Sequence, residues 1–255
     1  MISICMASFN GAKYIKQQID SILCQIGDFD ELIISDDGST DGTLDILKSY
    51  DDSRIKILFH NKTYHKYSFG FTSSNFENAI NYASGDIIFL SDQDDIWLPN
   101  KLKKMVDALK ENLLVLSDCS IIDNDMNVIV ESKFKYENIR KGFLNNIYKN
   151  GYLGCCVAFR SELKKSVLPF RKNVPHDMWI ALIAESVGDV CFLDEVLLLY
   201  RRHDSNVSFT NNKLLSRQNS SSGIKFVPNT NSFLNKIGYR LITFFYVLRF
   251  KIFNV

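Results

Sequence analysis

Ile87-Ile88-Phe89-Leu90-Ser91-Asp92-Gln93-Asp94-Asp95-Ile96-Trp97-Leu98-Pro99 is the stretch on which the fold turns. Four large apolar residues in a row read as a strand buried on both faces. The acids that follow mark where it leaves the core, and Pro99 opens a helix whose core face is Leu98, Leu102, Met105, Val106 and Leu109. Three carboxylates in four residues repel one another unless a cation joins them. Oxygen ligands of this kind suit Mg²⁺ or Mn²⁺, which complete their shells with phosphate oxygens and water. The competing reading is a polar turn that caps the following helix, although a cap needs only one carboxylate.

Upstream, the same grammar repeats. Ile2 to Ala7 reads as a strand, Ile15, Ile19, Ile22 and Leu23 as one face of a helix, Leu32 to Ile34 and Ile55 to Phe59 as strands. Ser74-Asn75-Phe76-Glu77 has the form of a capping box before a helix ending near Gly85. Downstream, Leu113 to Leu116, Val157 to Phe159 and Val196 to Tyr200 read as strands, and a helix starts near Pro175-His176-Asp177. Strand–helix alternation predicts an α/β domain with a mixed, largely parallel sheet and helices on both faces. Ligands bind such sheets at the carboxyl ends of the strands. Ser8-Phe9-Asn10, Asp36-Asp37-Gly38 and Asp92 to Asp95 all fall there, which makes one edge a site.

Composition narrows the function. Thirty Lys and Arg against 29 Asp and Glu leave a net charge of +1, so no global field attracts nucleic acid. The six cysteines include no C-x-x-C pair, and Cys155 and Cys156, on an extended strand, would point to opposite faces; all six read as small hydrophobes in a reducing compartment. The N-terminus shows no targeting signal and no stretch reaches the roughly 18 to 20 apolar residues that span a bilayer, which predicts a cytoplasmic protein, either free or attached to the membrane surface. Asp37 to Gly42 mimics a calcium loop, but position twelve would be Lys48 and a strand precedes it. A βα turn remains, with Asp37 available to accept from a base N–H.

Taken in order, Ser8-Phe9-Asn10, Asp36-Asp37-Gly38-Ser39-Thr40-Asp41, Gly85-Asp86 and Asp92 through Pro99 resemble the motifs of family 2 glycosyltransferases with the GT-A fold. They are similar in particular to the rhamnosyltransferase-like bacterial branch that builds surface polysaccharide such as O-antigen. The resemblance implies an inverting, metal-dependent transfer from a UDP- or dTDP-sugar to a saccharide on a polyprenyl diphosphate. By position it assigns Ala7, Ser8, Phe9, Asn10 and Asp37 to the nucleoside, Asp92 to ribose or metal, and Asp94 to the metal as principal ligand, Mn²⁺ or Mg²⁺. Asp95 shares the motif without a distinct role. His176-Asp177 stands where the family carries Glu-Asp, so the base falls to Asp177, with His176 a wall of the acceptor pocket. Asp177, at a helix start, is expected to stay ionised.

Tyr200-Arg201-Arg202-His203 matches a Tyr-Arg-x-His segment of that branch, with Asn206 in the loop after it. This gives His203 to the metal or a phosphate oxygen and Arg201 to the donor, against a solvated basic strand end as the alternative. Asn75 stands for either a donor contact or a helix cap, and His60 and His65 receive no role. The organisation read from these features is a catalytic domain over 1–210, a linker over 211–232 and a basic amphipathic helix over 233–255. The apolar stripe of that helix, from Leu234 to Ile252, with Lys236, Arg240, Arg249 and Lys251, leaves three partners open: an anionic membrane surface, the catalytic domain, or a second copy in a homodimer. Two rival functions stay in view. A nucleotidyltransferase would carry a Gly/Arg/Lys-rich loop after its first strand, of which Ser8 to Lys13 is a poor version. A non-catalytic nucleotide- or sugar-binding module would not need Asp92, Asp94 and Asp177 intact.

Overall fold

The structure, a computed structural model, describes residues 1–61, 69–172, 174–203, 206 and 247. In chain order the strands and helices begin with β1 (Ile2–Ser8), α1 (Ile15–Leu23), β2 (Glu31–Asp36), α2 (Thr43–Lys48), β3 (Ile55–Phe59), α3 (Phe69–Tyr82) and β4 (Ile87–Asp92). They pair in parallel in the order β3-β2-β1-β4. β1 therefore has β2 on one side and β4 on the other, and the chain reverses its direction of winding there. Such a switch point opens a crevice at the carboxyl ends of the strands. The register sets Ser8 beside Asp36, Ala7 beside Asp92, and Asp36 beside Phe59.

The second half continues through β5 (Ile96–Trp97), α4 (Lys101–Ala108), β6 (Leu114–Ile122), β7 (Val128–Val130), α5 (Lys133–Glu137), α6 (Phe143–Tyr148), β8 (Val157–Arg160), α7 (Lys164–Val167), α8 (His176–Val187) and β9 (Val190–Arg201). β8 joins the two halves, antiparallel to both β4 and β6, while β6 and β9 run parallel. The sheet is mixed, and its purely parallel block is the N-terminal one. Helices cover both faces, and the core closes over Ile4, Met6, Ile33, Phe76, Phe89, Val115, Phe159 and Ile180, all fully buried.

Three expectations change. α3 starts at Phe69 rather than at Ser74, whose hydroxyl donates to the Phe71 carbonyl in mid-helix, so no capping box forms. The buried face of α3 already includes Gly70 and Ser73, upstream of the supposed cap. β6 runs nine residues rather than four, because Ser117, Asp118 and Ser120 are buried within it. Asp118 makes this tolerable by accepting from Ser132 Oγ (2.5 Å) and from the backbone N–H groups of Cys119 and Phe134. Cys155 and Cys156 lie in a 3-10 turn, Gly154–Cys156, not on a strand; both are buried and unbridged. His65 and the expected C-terminal helix lie outside the described residues, apart from Val247, which is buried.

Candidate active site

The loops after β1, β2 and β4 are bound to one another before any ligand arrives. Asp36, fully buried at the end of β2, accepts from Ser8 Oγ (3.0 Å), from Ser39 Oγ (2.6 Å) and from the N–H groups of Gly38 and Ser39. It shapes the turn that presents Asp37. Asn10 docks on the same turn, donating its N–H to Ser39 Oγ and accepting from Thr40 N (both 2.8 Å). Gln93 clamps the first loop to the third: its Oε1 accepts from Phe9 N and its Nε2 donates to Phe9 O, each at 2.9 Å. Asn75, in the second turn of α3, donates to the Ser8 carbonyl at 3.1 Å, and its buried Oδ1 has no partner among the described residues. Asn75 thus holds the end of β1, since the helix that it was read as capping begins six residues earlier.

Asp37 is oriented by a neighbour. Its Oδ1 lies 2.5 Å from His60 Nδ1. The parallel register explains the meeting: residues just past neighbouring strands land side by side, and His60 follows β3 as Asp37 follows β2.

The acidic turn after β4 divides between two sets of neighbours. Asp94 Oδ2 receives His203 Nε2 at 2.7 Å and Asn206 Nδ2 at 3.1 Å. Asp92 and Asp95 form the other set: their carboxylate oxygens and Cys155 Sγ come within 4.8 Å of one another. Burial, reinforced by the Asp94 charge, lifts Asp92 to about 7, and Asp95 stands well above the ordinary carboxylate range for the same two reasons and the charge of Asp92. Asp95 Oδ1 accepts from Arg201 N, and its buried Oδ2 has no hydrogen-bond partner among the described residues. Carboxyl groups pushed up by one another, next to an imidazole nitrogen, form a donor set that a divalent cation fits.

Arg201 does not reach toward a donor. Its Nε donates to the Asp94 carbonyl at 2.9 Å, its second guanidinium nitrogen to Gln17 Oε1 at 2.8 Å, and the group lies over the Tyr14 ring at 4.9 Å. It is 2% exposed and serves to hold the acidic turn against α1. Tyr14 also stacks on His203, with ring centroids 4.8 Å apart, which fixes the imidazole beside Asp94.

Asp177 enters from α8, in its first turn. Its Oδ1 accepts from Met178 N at 2.6 Å. The helix start is expected to keep it ionised; burial outweighs that in part and raises it to about 6, so it is ionised at neutral pH. Its charge adds to the upward pressure on Asp92. His176 turns the other way. Its ring packs against Phe76 (4.5 Å between centroids), its Nδ1 lies 3.2 Å from Ser73 Oγ, and its Nε2 is buried without a partner among the described residues. A Cβ on Gly154 would come 2.9 Å from that nitrogen, so the glycine makes the room. Burial holds His176 at about 3, a neutral packing residue.

The site residues read from sequence therefore converge on one sheet edge, with Ala7, Ser8, Phe9, Asn10 and Asp37 along one side, Asp92, Asp94 and His203 at the centre, and Asp177 beyond. Asn75, Arg201 and His176 stand behind them. Four residues with structural purchase were not singled out: His60, Tyr14, Gln93 and Cys155. The register of β3 points to His60, and Gln93 sits inside the acidic motif, whereas nothing local in the sequence marks Tyr14 or Cys155.

The sequence profile of the family described as Glycosyl transferase family 2 matches residues 3–168. The chain is 30% identical over 222 residues, 86% of its length and 83% of the relative's, to the UDP-Glc:alpha-D-GlcNAc-diphosphoundecaprenol beta-1,3-glucosyltransferase WfgD of Escherichia coli. It is 27% identical over 218 residues, 79% of this chain and 72% of the relative, to the dTDP-rhamnosyl transferase RfbG of Shigella flexneri. Among solved structures, S. aureus TarS residues 1–349 in complex with UDP superposes with a TM-score of 0.62 at 21% identity. That match covers 79% of this chain and 60% of TarS 1–349, and it shows the fold, the GT-A arrangement.

Proposed function

This chain belongs to glycosyl transferase family 2, and from that premise we propose that it transfers a sugar, with inversion, from a UDP- or dTDP-sugar to a saccharide carried on a polyprenyl diphosphate, in the assembly of surface polysaccharide. The observation that carries the reading is the meeting of Asp94, His203 and Asn206 at the carboxyl ends of β1 and β4, with Asp177 close enough to act on Asp92 through its charge.

Asp94 and His203 would hold a Mn²⁺ or Mg²⁺ ion, with Asp92 beside it. Bound there, the cation would supply positive charge to the departing diphosphate. The chain's own residues do the rest. The backbone of Ala7 to Asn10, already fixed by Gln93 and Ser39, gives the nucleoside a rigid shelf. Asp37, oriented by His60, is placed to accept from the base. Tyr14 and Arg201 keep His203 and the acidic turn from relaxing outward. Asp177, raised to about 6, is ionised at neutral pH yet basic enough to take the proton of an acceptor hydroxyl. Attack by that oxygen on the anomeric carbon, opposite the nucleotide, inverts its configuration.

The acceptor and donor classes draw support from the names of the two relatives, one using a GlcNAc-diphosphoundecaprenol acceptor and the other a dTDP-rhamnosyl donor. Among the described residues no helix is long and apolar enough to cross a membrane. Attachment to the inner face of the membrane is accordingly proposed as peripheral, with residues 1–210 as the catalytic domain, 211–232 as linker and 233–255 as the basic tail. The test is a panel of nucleotide sugars with synthetic diphospholipid saccharides, assayed with Mn²⁺ or Mg²⁺. Transfer should stop in EDTA, and Asp94→Ala should lower turnover by roughly 10², the scale of losing one transition-state charge stabiliser. Full activity in EDTA would overturn the metal assignment.

A further inference from the structure

A second surface stands out on the segment that carries α5 and α6. Between residues 133 and 149 the chain places Lys133, Lys135, Arg140, Lys141 and Lys149 against a single acid, Glu137, although the molecule as a whole is almost neutral. Glu137 is paired with Lys133 at 3.1 Å and with the half-exposed Lys149 at 4.0 Å, whereas Lys135, Arg140 and Lys141 are exposed and form no ion pair among the described residues. α6 turns Phe143, Asn146 and Ile147 toward the protein. Leu144 and Tyr148, four residues apart on its other face, are 71% and 83% exposed, and Tyr136 is exposed on α5. A cavity of about 300 Å³ lies between the two helices, lined by Asn138, Arg140, Asn145, Tyr148 and Lys149 among others. Large apolar and aromatic side chains ringed by cations describe a surface that rests in a headgroup layer.

We propose that the α5–α6 face docks on an anionic phospholipid bilayer, with Leu144 and Tyr148 entering the interface and Arg140, Lys141 and Lys149 meeting lipid phosphates. The position suits the reaction. Glu185, two turns along α8 from Asp177, receives Gly142 N, Asn146 Nδ2 and Tyr152 Oη on one oxygen at 2.8–3.1 Å. The docking segment is thereby moored to the helix that carries the base, and Lys133 at its start acts electrostatically on Asp177. A bilayer held here would present lipid-borne hydroxyls to the acceptor side of the site. That purpose rests on the lipid-linked acceptor proposed above; the docking itself does not.

Vesicle sedimentation of the full-length chain, without donor or acceptor, tests the docking separately from transfer. The protein should pellet with phosphatidylglycerol-containing vesicles, not with phosphatidylcholine alone, and high salt should release it. The triple variant Arg140→Gln, Lys141→Gln, Lys149→Gln should lower the partition coefficient roughly a hundredfold, at about fivefold per cation. The pair Leu144→Ser and Tyr148→Ser should also weaken it, and salt should matter as before. Both variants should keep the wild-type melting temperature and turnover on a short soluble acceptor. Wild-type binding by the triple variant, equal binding to neutral vesicles, or no binding by the wild type would each overturn the proposal. Loss of transfer with binding intact would count against the proposed reaction and not against this surface.

Discussion

The side chain of Asp177 takes its properties from two opposed influences at one helix start. The backbone N–H of Met178 favours its charge, and burial disfavours it more, leaving it near 6. A base must be deprotonated to act, so transfer rate should rise as pH climbs through about 6 and level off above it. A rate-against-pH profile at saturating donor checks this; a flat profile between pH 5 and 7 would speak for another base. The sequence marks Asp177, Asp94 and His203, and the structure sets Asp94 2.7 Å from His203. What the sequence could not mark is partnership. The resemblance of Tyr200 to His203 to a family segment assigns Arg201 to the donor, yet its guanidinium is held by Gln17, Tyr14 and the Asp94 carbonyl, groups that the fold alone brings near. His60 escaped notice because its meaning depends on the β2–β3 register, not on its neighbours in the chain.

Among the elements, the N-terminal strands and helices were legible because their periodicity is clean. The failures have physical causes. α5 and α6 are too short for a helical stripe to stand out, and β6 hides polar residues that its hydrogen bonds satisfy only in three dimensions. The Gly85-Asp86 motif was legible as a pattern, and its reason is packing. A Cβ on Gly85 would stand 2.7 Å from Ser3 N and 2.9 Å from the Ile2 carbonyl carbon, both backbone atoms of β1 that cannot move aside. Gly85→Ala should therefore part β1 from the turn before β4, costing about 1–3 kcal/mol. Thermal unfolding should show a midpoint several degrees lower, whereas an unchanged midpoint would mean that the turn has slack.

At the scale of the whole molecule, stability is linked to pH through the buried acids. Asp92 at about 7 and Asp177 at about 6 hold protons in the fold that the unfolded chain would release near 3.8. As pH rises from about 4 to 7 these two groups cost stability. His176, held near 3 against an unfolded value of 6.5, acts in the opposite sense: its contribution is lost as pH falls from 6.5 toward 3. Glu31, lowered to about 2 by Lys56, Ser3 and Ser84, is likewise lost as pH falls from 4.5. A cation at the acidic turn would replace the protons and remove the cost, so Mn²⁺ should raise the melting temperature more at pH 7.5 than at pH 5. Equal shifts at both values would place the ion away from Asp92 and Asp94.

The central claim is that one crevice holds the donor while Asp177 takes the acceptor proton. Its most direct measurement pairs two readouts on Asp177→Asn, calorimetric donor binding in the presence of Mn²⁺ and nucleotide release with acceptor. The amide keeps the shape of the side chain but cannot take a proton. The account predicts donor affinity within a few-fold of wild type and transfer reduced by at least about 10². Wild-type turnover in this variant would contradict it.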